Sequence, residues 1–308
     1  MTVAVQRGPL VAMLVGAVLI STSAVFVKWV DVGPTASAFW RMALAAGMLV
    51  PFVAVALRRA RLAWRPAPRV LALVALAGAF FALDLWMWHR SILYVGVGMA
   101  TLLGNFQVFV LAAYGAFVLH EHGGWRLWTG LLLAISGLAL MLLPGWAGFD
   151  DRFRAGVGFG LGTAGAYAGF LIAFRRAQSM RGDASNEALL WWMCVFTAAP
   201  LLPLAIAAGE TLQPPGIDDW SSLVAYAFIA QVCGWLVIGR AMPKLSAGAL
   251  GLCLLLQPLL AYVWDATLFG TRLDAAGLAG LALSLAGIFL GLTRSAPRAD
   301  RAASATAG

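Results

Sequence analysis

Apolar residues run along this chain in ten long blocks, near residues 10–30, 36–57, 70–91, 94–118 and 125–143, and again near 157–177, 187–208, 220–239, 247–268 and 275–293. Each block approaches or exceeds the length of about 20 residues that a helix needs to cross the hydrocarbon of a bilayer. Inside hydrocarbon a backbone satisfies its hydrogen bonds only as a helix or a closed barrel. Barrel strands alternate apolar and polar positions, whereas these blocks are apolar throughout. The pattern therefore predicts an all-α polytopic membrane protein of ten transmembrane helices. The first block is read as a membrane helix rather than a cleaved leader, because apolar sequence continues through Val30 with no small-x-small site followed by a polar stretch.

Composition narrows the picture further. Of 308 residues, 62% are apolar and 11% charged, and the mean hydropathy is +0.88, whereas a globular domain carries about 25% charged residues. Ten spans use roughly 200 positions, which leaves short loops and no separate soluble catalytic or nucleotide-binding domain. The net charge of +8 does not point to nucleic acid, because the basic residues fall between apolar blocks rather than along one solvated face. They act as topology signals, since Lys and Arg accumulate on the cytoplasmic side. With the N-terminus inside, 15 of the 21 basic residues fall on the inner side, among them Arg58, Arg59, Arg61, Arg65 and Arg69. The outer 6 are Lys28, Arg41, Arg90, Arg152, Arg154 and Arg272. Both termini are thus expected in the cytoplasm, and the membrane is expected to be a bacterial inner membrane. Cys194, Cys233 and Cys253 lie inside apolar segments without metal-ligand or disulfide spacing, and read as small buried hydrophobes.

The chain also resembles itself. A shift of 150 residues superposes Leu102 on Leu252, Gln107 on Gln257, Gly130 on Gly280 and Gly137 on Gly287. A shift of 147 brings Lys28 onto Arg175. Residues 1–146 are therefore expected to form a first five-helix repeat, residues 147–293 a second, and residues 294–308 a short basic cytoplasmic tail. Five is odd, so the second repeat enters the membrane in the opposite sense, and inverted-topology repeats of this kind hold a substrate site in a central cavity near the midplane.

Three features are similar to the EamA-type branch of the drug/metabolite transporter superfamily: the stretch AFWRMALAAGMLV (38–50), the stretch ALDLWMWHRSILYVGVGMATLLGNFQVFVLAAYGAFVLHEH (82–122), and the glycines of spans five and ten. The resemblance covers residues 10–293 and implies ten helices in two inverted repeats around a central cavity, with cytoplasmic termini. Arg41 and Asp84 match an Arg and an Asp that the family carries in neighbouring helices, and the aromatic-rich lining resembles that of YddG-type amino acid exporters. Some positions depart from the family pattern. Span one has Ile20 where an aromatic residue is usual, although Tyr167 stands at the corresponding place in the second half; Val108 replaces a proline retained as Pro258; and the Gly-Glu ending of span four is His120-Glu121.

Ionisable groups inside a membrane need partners or water, and few occur here. Arg41 and Asp84 lie in neighbouring spans and are expected to form a structural ion pair or to serve the substrate or gating. His89 and Asp265 lie near the outer ends of spans three and nine, where water is close. His89 is the candidate for proton coupling, against the alternative of a solvated interfacial side chain. His120 and His122 flank Glu121 without a third ligand, so no metal site is expected. At mid-depth stand uncharged hydrogen-bonding groups: Ser21, Thr22, Ser23, Asn105, Gln107, Tyr167, Gln231 and Gln257. They suit a small amphipathic solute, with bonding between helices as the alternative. Of 13 tryptophans, those near helix ends fit the interfacial belt. Trp86, Trp88, Trp191, Trp192, Trp235 and Trp264 lie deeper, and a minority, Trp235 among them, is expected to line the cavity. The pairs Gly158/Gly162, Gly165/Gly169 and Gly287/Gly291 allow close helix approach within the chain or in a homodimer.

These features predict a secondary transporter that exports small amphipathic metabolites, foremost neutral or aromatic amino acids, by alternating access. Other metabolites or drugs remain alternative cargo. An enzyme would need a nucleophile, base and ligand constellation that the sequence lacks, a channel would need rings of like side chains, and neither Lys28 nor Lys244 belongs to a phosphate-binding loop. No catalytic residue and no cofactor are expected. The expected partners are the lipid bilayer and a small-molecule substrate, in a monomer or homodimer.

Overall fold

The computed structural model describes residues 7–60, 63–118, 125–241, 256–272 and 274–292. His120, Glu121, His122, Lys244, Cys253 and the tail 294–308 lie outside the described residues. Span one is α1 (Arg7–Ser21) and α2 (Ser23–Trp29), span two α3 (Pro34–Ala60), span three α4 (Pro68–Val95), span four α5 (Val97–Gly104) and α6 (Gln107–Phe117), and span five α7 (Trp125–Leu142). Span six is α8 (Asp151–Ser179) and span seven α9 (Asn186–Ala207). Span eight joins α10 (Ile217–Ala225), a π-helical segment (Tyr226–Gly234) and α11 (Trp235–Ala241). Spans nine and ten are α12 (Leu256–Phe269) and α13 (Ala275–Leu292). Spans one, two, three, six, seven and eight are each long and apolar enough to cross a bilayer, and the remaining four hold shorter apolar helices.

The hydropathy pattern predicts unbroken spans, yet three are interrupted, each beside polar side chains. Ser21 Oγ and Thr22 Oγ1 donate to the carbonyls of Val18 and Leu19, both at 2.7 Å, and this back-bonding competes with the helix ladder where α1 ends. Asn105 Nδ2 donates to the Thr101 carbonyl at 2.8 Å, at the break between α5 and α6. Span eight widens into the π-helical segment around Gln231, a distortion frequent at functional sites. α4 stops at Gly96, whose φ of 87° is open to glycine and strained for other residues. α8 begins at Asp151 rather than near 157, because Asp150 caps it by accepting from Phe153 N at 2.7 Å.

The helix pairing survives exchange of the first five spans for the last five. Span three packs on six as eight packs on one, three on seven as eight on two, and four on six as nine on one. Spans two and seven, four and nine, and five and ten each pair with their own equivalent. These equivalents run antiparallel. In the α7–α13 pair, Gly137 faces Gly280 and Ser284 while Gly287 faces Gly130 and Ala134, and Ser284 Oγ donates to the Ala134 carbonyl at 3.1 Å. A shift of 150 turns Gly130 into Gly280, Ala134 into Ser284 and Gly137 into Gly287, so this contact maps onto itself. In the α3–α9 pair, Thr35 at the start of α3 bonds Glu210 beyond the end of α9. Ala63, beyond the end of α3, bonds Asp183 just before α9.

The chain folds as two compact units, Met1–Gln107 with Phe149–Arg272 and Val108–Gly148 with Leu273–Gly308, and each draws on both halves of the sequence. In the first unit, Met42 and Leu49 of α3, Phe81 and Leu85 of α4, Phe170 and Phe174 of α8, and Leu189 and Met193 of α9 share one buried cluster with Trp235. Large apolar side chains stay exposed in series, such as Val11, Leu14, Val15 and Val18 on α1, which is the surface that hydrocarbon solvates.

Glycines at the helix crossings decide how closely the helices approach. Gly162 lies against Met87, Gly169 against Phe80 and Gly287 against the α7 backbone, whereas a Cβ at Gly158 or Gly165 would meet open space. Close packing within the chain thus accounts for Gly162, Gly169 and Gly287. Gly137→Ala sets a methyl group against the backbone of Gly280 and Ser284, and overpacking of this kind costs about 1–3 kcal/mol. We expect a lower melting temperature in detergent for Gly137→Ala and an unchanged or higher one for Gly158→Ala, because Ala exceeds Gly in helix propensity by up to about 1 kcal/mol.

Candidate functional site

A cavity with about 630 Å³ of empty space, partly open to the surface, lies within the first unit. α1 and α2 contribute Ile20, Ser21 and Ser23, and α3 contributes Arg41. Phe81, Asp84, Leu85 and Trp88 come from α4, and Thr101, Gly104, Asn105 and Gln107 from the broken span four. Thr163 and Tyr167 of α8, Trp235 of α11 and Gln257 of α12 complete the wall. The breaks after Ser21 and at Asn105 therefore lie beside the cavity.

Seven of the nine residues expected at the substrate site line this space: Ser21, Ser23, Asn105, Gln107, Tyr167, Trp235 and Gln257. Thr22 does not, and its hydroxyl turns back onto the Leu19 carbonyl. Gln231 is fully buried behind the wall, where its Oε1 accepts from Arg41 Nε at 3.0 Å. Ser23 Oγ, Gln107 Oε1 and Trp235 Nε1 are buried with no hydrogen-bond partner among the described residues. Nearly all buried polar groups in proteins are paired, so three unpaired ones on a single cavity mark it as a place built for a polar solute or for water.

Arg41 and Asp84 both line the cavity, but the direct ion pair expected between them is not formed. Two of the Arg41 nitrogens bond neutral partners. Nε bonds Gln231, and Nη1 donates to the Tyr226 hydroxyl at 2.9 Å. The guanidinium carbon also lies 4.8 Å from the centre of the Tyr226 ring and 5.7 Å from that of Phe81, within cation–π range. The Asp84 carboxylate, on a residue 5% exposed, makes no hydrogen bond or ion pair among the described residues.

His89 departs from the water-contacting position expected of it and is fully buried. α4 continues to Val95, which draws His89 more than a turn inside the helix end. Its Nδ1 stands 2.9 Å from the Pro34 carbonyl and its Nε2 3.1 Å from the Tyr226 hydroxyl. A carbonyl only accepts, so Nδ1 donates. Nε2 then accepts from Tyr226, and the Tyr226 oxygen accepts from Arg41. All these directions are satisfied with a neutral imidazole.

Asp265, also expected near water, is 1% exposed. Its Oδ2 accepts from Gly98 N at the start of α5 at 3.0 Å, and Lys28 Nζ lies 3.5 Å from its Oδ1. A second charged group at the same end was not anticipated. Glu210, just past α9, accepts from Thr35 N and Ala36 N at 2.8 Å, from Thr35 Oγ1 at 2.6 Å and from Arg90 Nη2 at 3.2 Å. It thereby caps α3 from 175 residues away. No spacing rule links an acid to a helix start at that distance.

Among the cavity residues not singled out as site candidates, Ile20 and Trp88 carried a signal in the repeat. A shift of 147 takes Ile20 to Tyr167 and Trp88 to Trp235, and all four line the space. Trp29, Trp64, Trp125, Trp128 and Trp146 are each more than a third exposed, which suits interfacial tryptophans. Of the six deeper ones, Trp88 and Trp235 reach the cavity wall, and Trp264 Nε1 donates to Ser21 Oγ at 3.1 Å.

The sequence profile of the EamA-like transporter family matches residues 7–143 and again 154–293. A "Probable amino-acid metabolite efflux pump" of Salmonella typhimurium strain LT2 is 25% identical over 205 residues, which span 63% of this chain and 66% of that protein. A crystal structure at 16% identity superposes with a TM-score of 0.66 over 93% of this chain and 97% of its own, and so shares the fold.

Proposed function

The chain belongs to the EamA-like transporter family, and we propose that it is a secondary exporter of small amphipathic metabolites, foremost neutral or aromatic amino acids, in a bacterial inner membrane with both termini in the cytoplasm. The observation that carries this reading is the cavity itself. Its wall draws on both sequence halves, residues 1–146 and 147–293, and combines aromatic rings with buried polar groups that have no partner among the described residues. Ligand pockets are typically apolar with a few convergent polar groups, and the lining of this cavity has that character. The name of the Salmonella relative, an amino-acid metabolite efflux pump, supports amino acids as cargo, and the basic residues on the inner side support the orientation.

In this reading the two halves rock about the cavity and expose it to each side in turn. Proton coupling, where it operates, runs through His89. Protonation would turn Nε2 into a donor to the Tyr226 oxygen, so that the Tyr226 hydroxyl proton, beside Arg41, would need another acceptor. Counterflow in proteoliposomes tests the reading without requiring a gradient. Vesicles preloaded with an unlabelled neutral amino acid are expected to accumulate its labelled form transiently. Absence of accumulation across a panel of neutral amino acids and amphipathic metabolites would remove the proposal.

A further inference from the structure

We propose that Arg41 and Asp84 form a split charge clamp that restricts the cavity to zwitterions, with the substrate carboxylate on Arg41 and the substrate ammonium on Asp84. The inference rests on the reading of the cavity as the translocation site. Both side chains are at least nine-tenths buried, 4% and 5% exposed, and both line the same space, yet no ion pair joins them.

Burying a carboxylate without a partner is costly, and the cost is offset only by a counter-charge or hydrogen bonds. The Asp84 carboxylate makes no hydrogen bond and no direct ion pair with the described protein groups, and Arg41 acts on it only from across the same space. Arg41 is positioned differently. Gln231 and Tyr226 hold Nε and Nη1, so the guanidinium is fixed while Nη2 has no protein acceptor among the described residues. A site for a simple anion would leave Asp84 repelling the ligand, and a site for a simple amine would leave Arg41 doing so. One solute carrying both charges answers both groups. The wall from Phe81, Trp88, Tyr167 and Trp235 then receives its side chain, since aromatic faces bind apolar groups well.

The test is ligand-induced thermal stabilisation of the purified full chain with three nearly isosteric probes: L-phenylalanine, L-phenylalaninamide, which lacks the carboxylate, and 3-phenylpropanoate, which lacks the ammonium. Wild-type protein is expected to bind phenylalanine about 10- to 100-fold more tightly than either analogue, the range that one charge-assisted contact supplies. In Asp84→Asn, which keeps the side-chain shape, the preference over 3-phenylpropanoate is expected to collapse to within about threefold. Wild-type binding of either analogue within threefold of phenylalanine would overturn the clamp, as would an unchanged preference in Asp84→Asn. No stabilisation by L-phenylalanine, L-leucine or L-threonine would also overturn it. The two readings fail separately. Phenylalanine counterflow without discrimination sinks the clamp and keeps transport, whereas discriminating binding without counterflow sinks transport and keeps the clamp.

Discussion

Arg41→Ala is expected to lose most of its folded protein before any transport assay can be run. The substitution strands Gln231 Oε1 and the Tyr226 hydroxyl, whose residues are both fully buried, and it removes the cation from a chain of bonds that continues through His89 to Pro34. Each buried polar group left without its partner costs about 1–3 kcal/mol, so the two together remove a large part of a total stability of about 5–15 kcal/mol. The measurement is the yield of monodisperse protein in detergent together with its melting temperature. Arg41→Lys, which keeps the charge but not the planar fork that reaches both acceptors, is expected to fall between wild type and Arg41→Ala. Wild-type yield and melting for Arg41→Ala would show that the bonds to Gln231 and Tyr226 contribute no stability.

Glu210→Ala is the second large loss. The carboxylate serves two backbone N–H groups, the Thr35 hydroxyl and Arg90. The Arg90 and Glu210 side chains are only 14% and 10% exposed, so solvent replaces little of what is removed. The loss combines a broken, partly buried charge-assisted pair, about 1–3 kcal/mol, with an uncapped helix start, about 1 kcal/mol. Part of this is recovered in the double variant Glu210→Ala/Arg90→Leu, which leaves no unpaired cation. The check is a double-mutant cycle on melting temperature. Additive effects of the two substitutions would contradict a direct Arg90–Glu210 interaction.

Periodic features of the molecule were legible in the sequence. The apolar blocks placed the spans, and the offset that superposes Gly130 on Gly280 and Gly137 on Gly287 named the residues that meet where α7 crosses α13. The rare polar residues inside apolar blocks located most of the cavity, because a polar group in hydrocarbon either faces a cavity or bonds a neighbouring helix. Residues with specific partners were not legible. Arg41 invites pairing with the nearest acid, yet its bonds go to neutral groups on the π-helical segment, 185 and 190 residues away. Glu210 sits in a loop with no periodicity to mark it. Bonds of this kind depend on the rotation of each helix about its axis, and hydropathy does not encode that rotation. The interruptions at Thr22 and Asn105 were hidden for a related reason. Each is caused by one or two side chains bonding their own helix, and they leave the apolar block intact.

The central claim is that this cavity is the place a solute occupies as it crosses. Ser23→Cys tests it most directly in a chain whose Cys194, Cys233 and Cys253 are replaced by Ala, because Ser23 lines the cavity and its hydroxyl is buried without a partner among the described residues. In proteoliposomes of known orientation, a membrane-impermeant maleimide is expected to reach the introduced thiol from either side, and a transported amino acid is expected to slow the reaction from both. A thiol that reacts from neither side, or at a rate indifferent to a solute the protein demonstrably moves, would contradict the account.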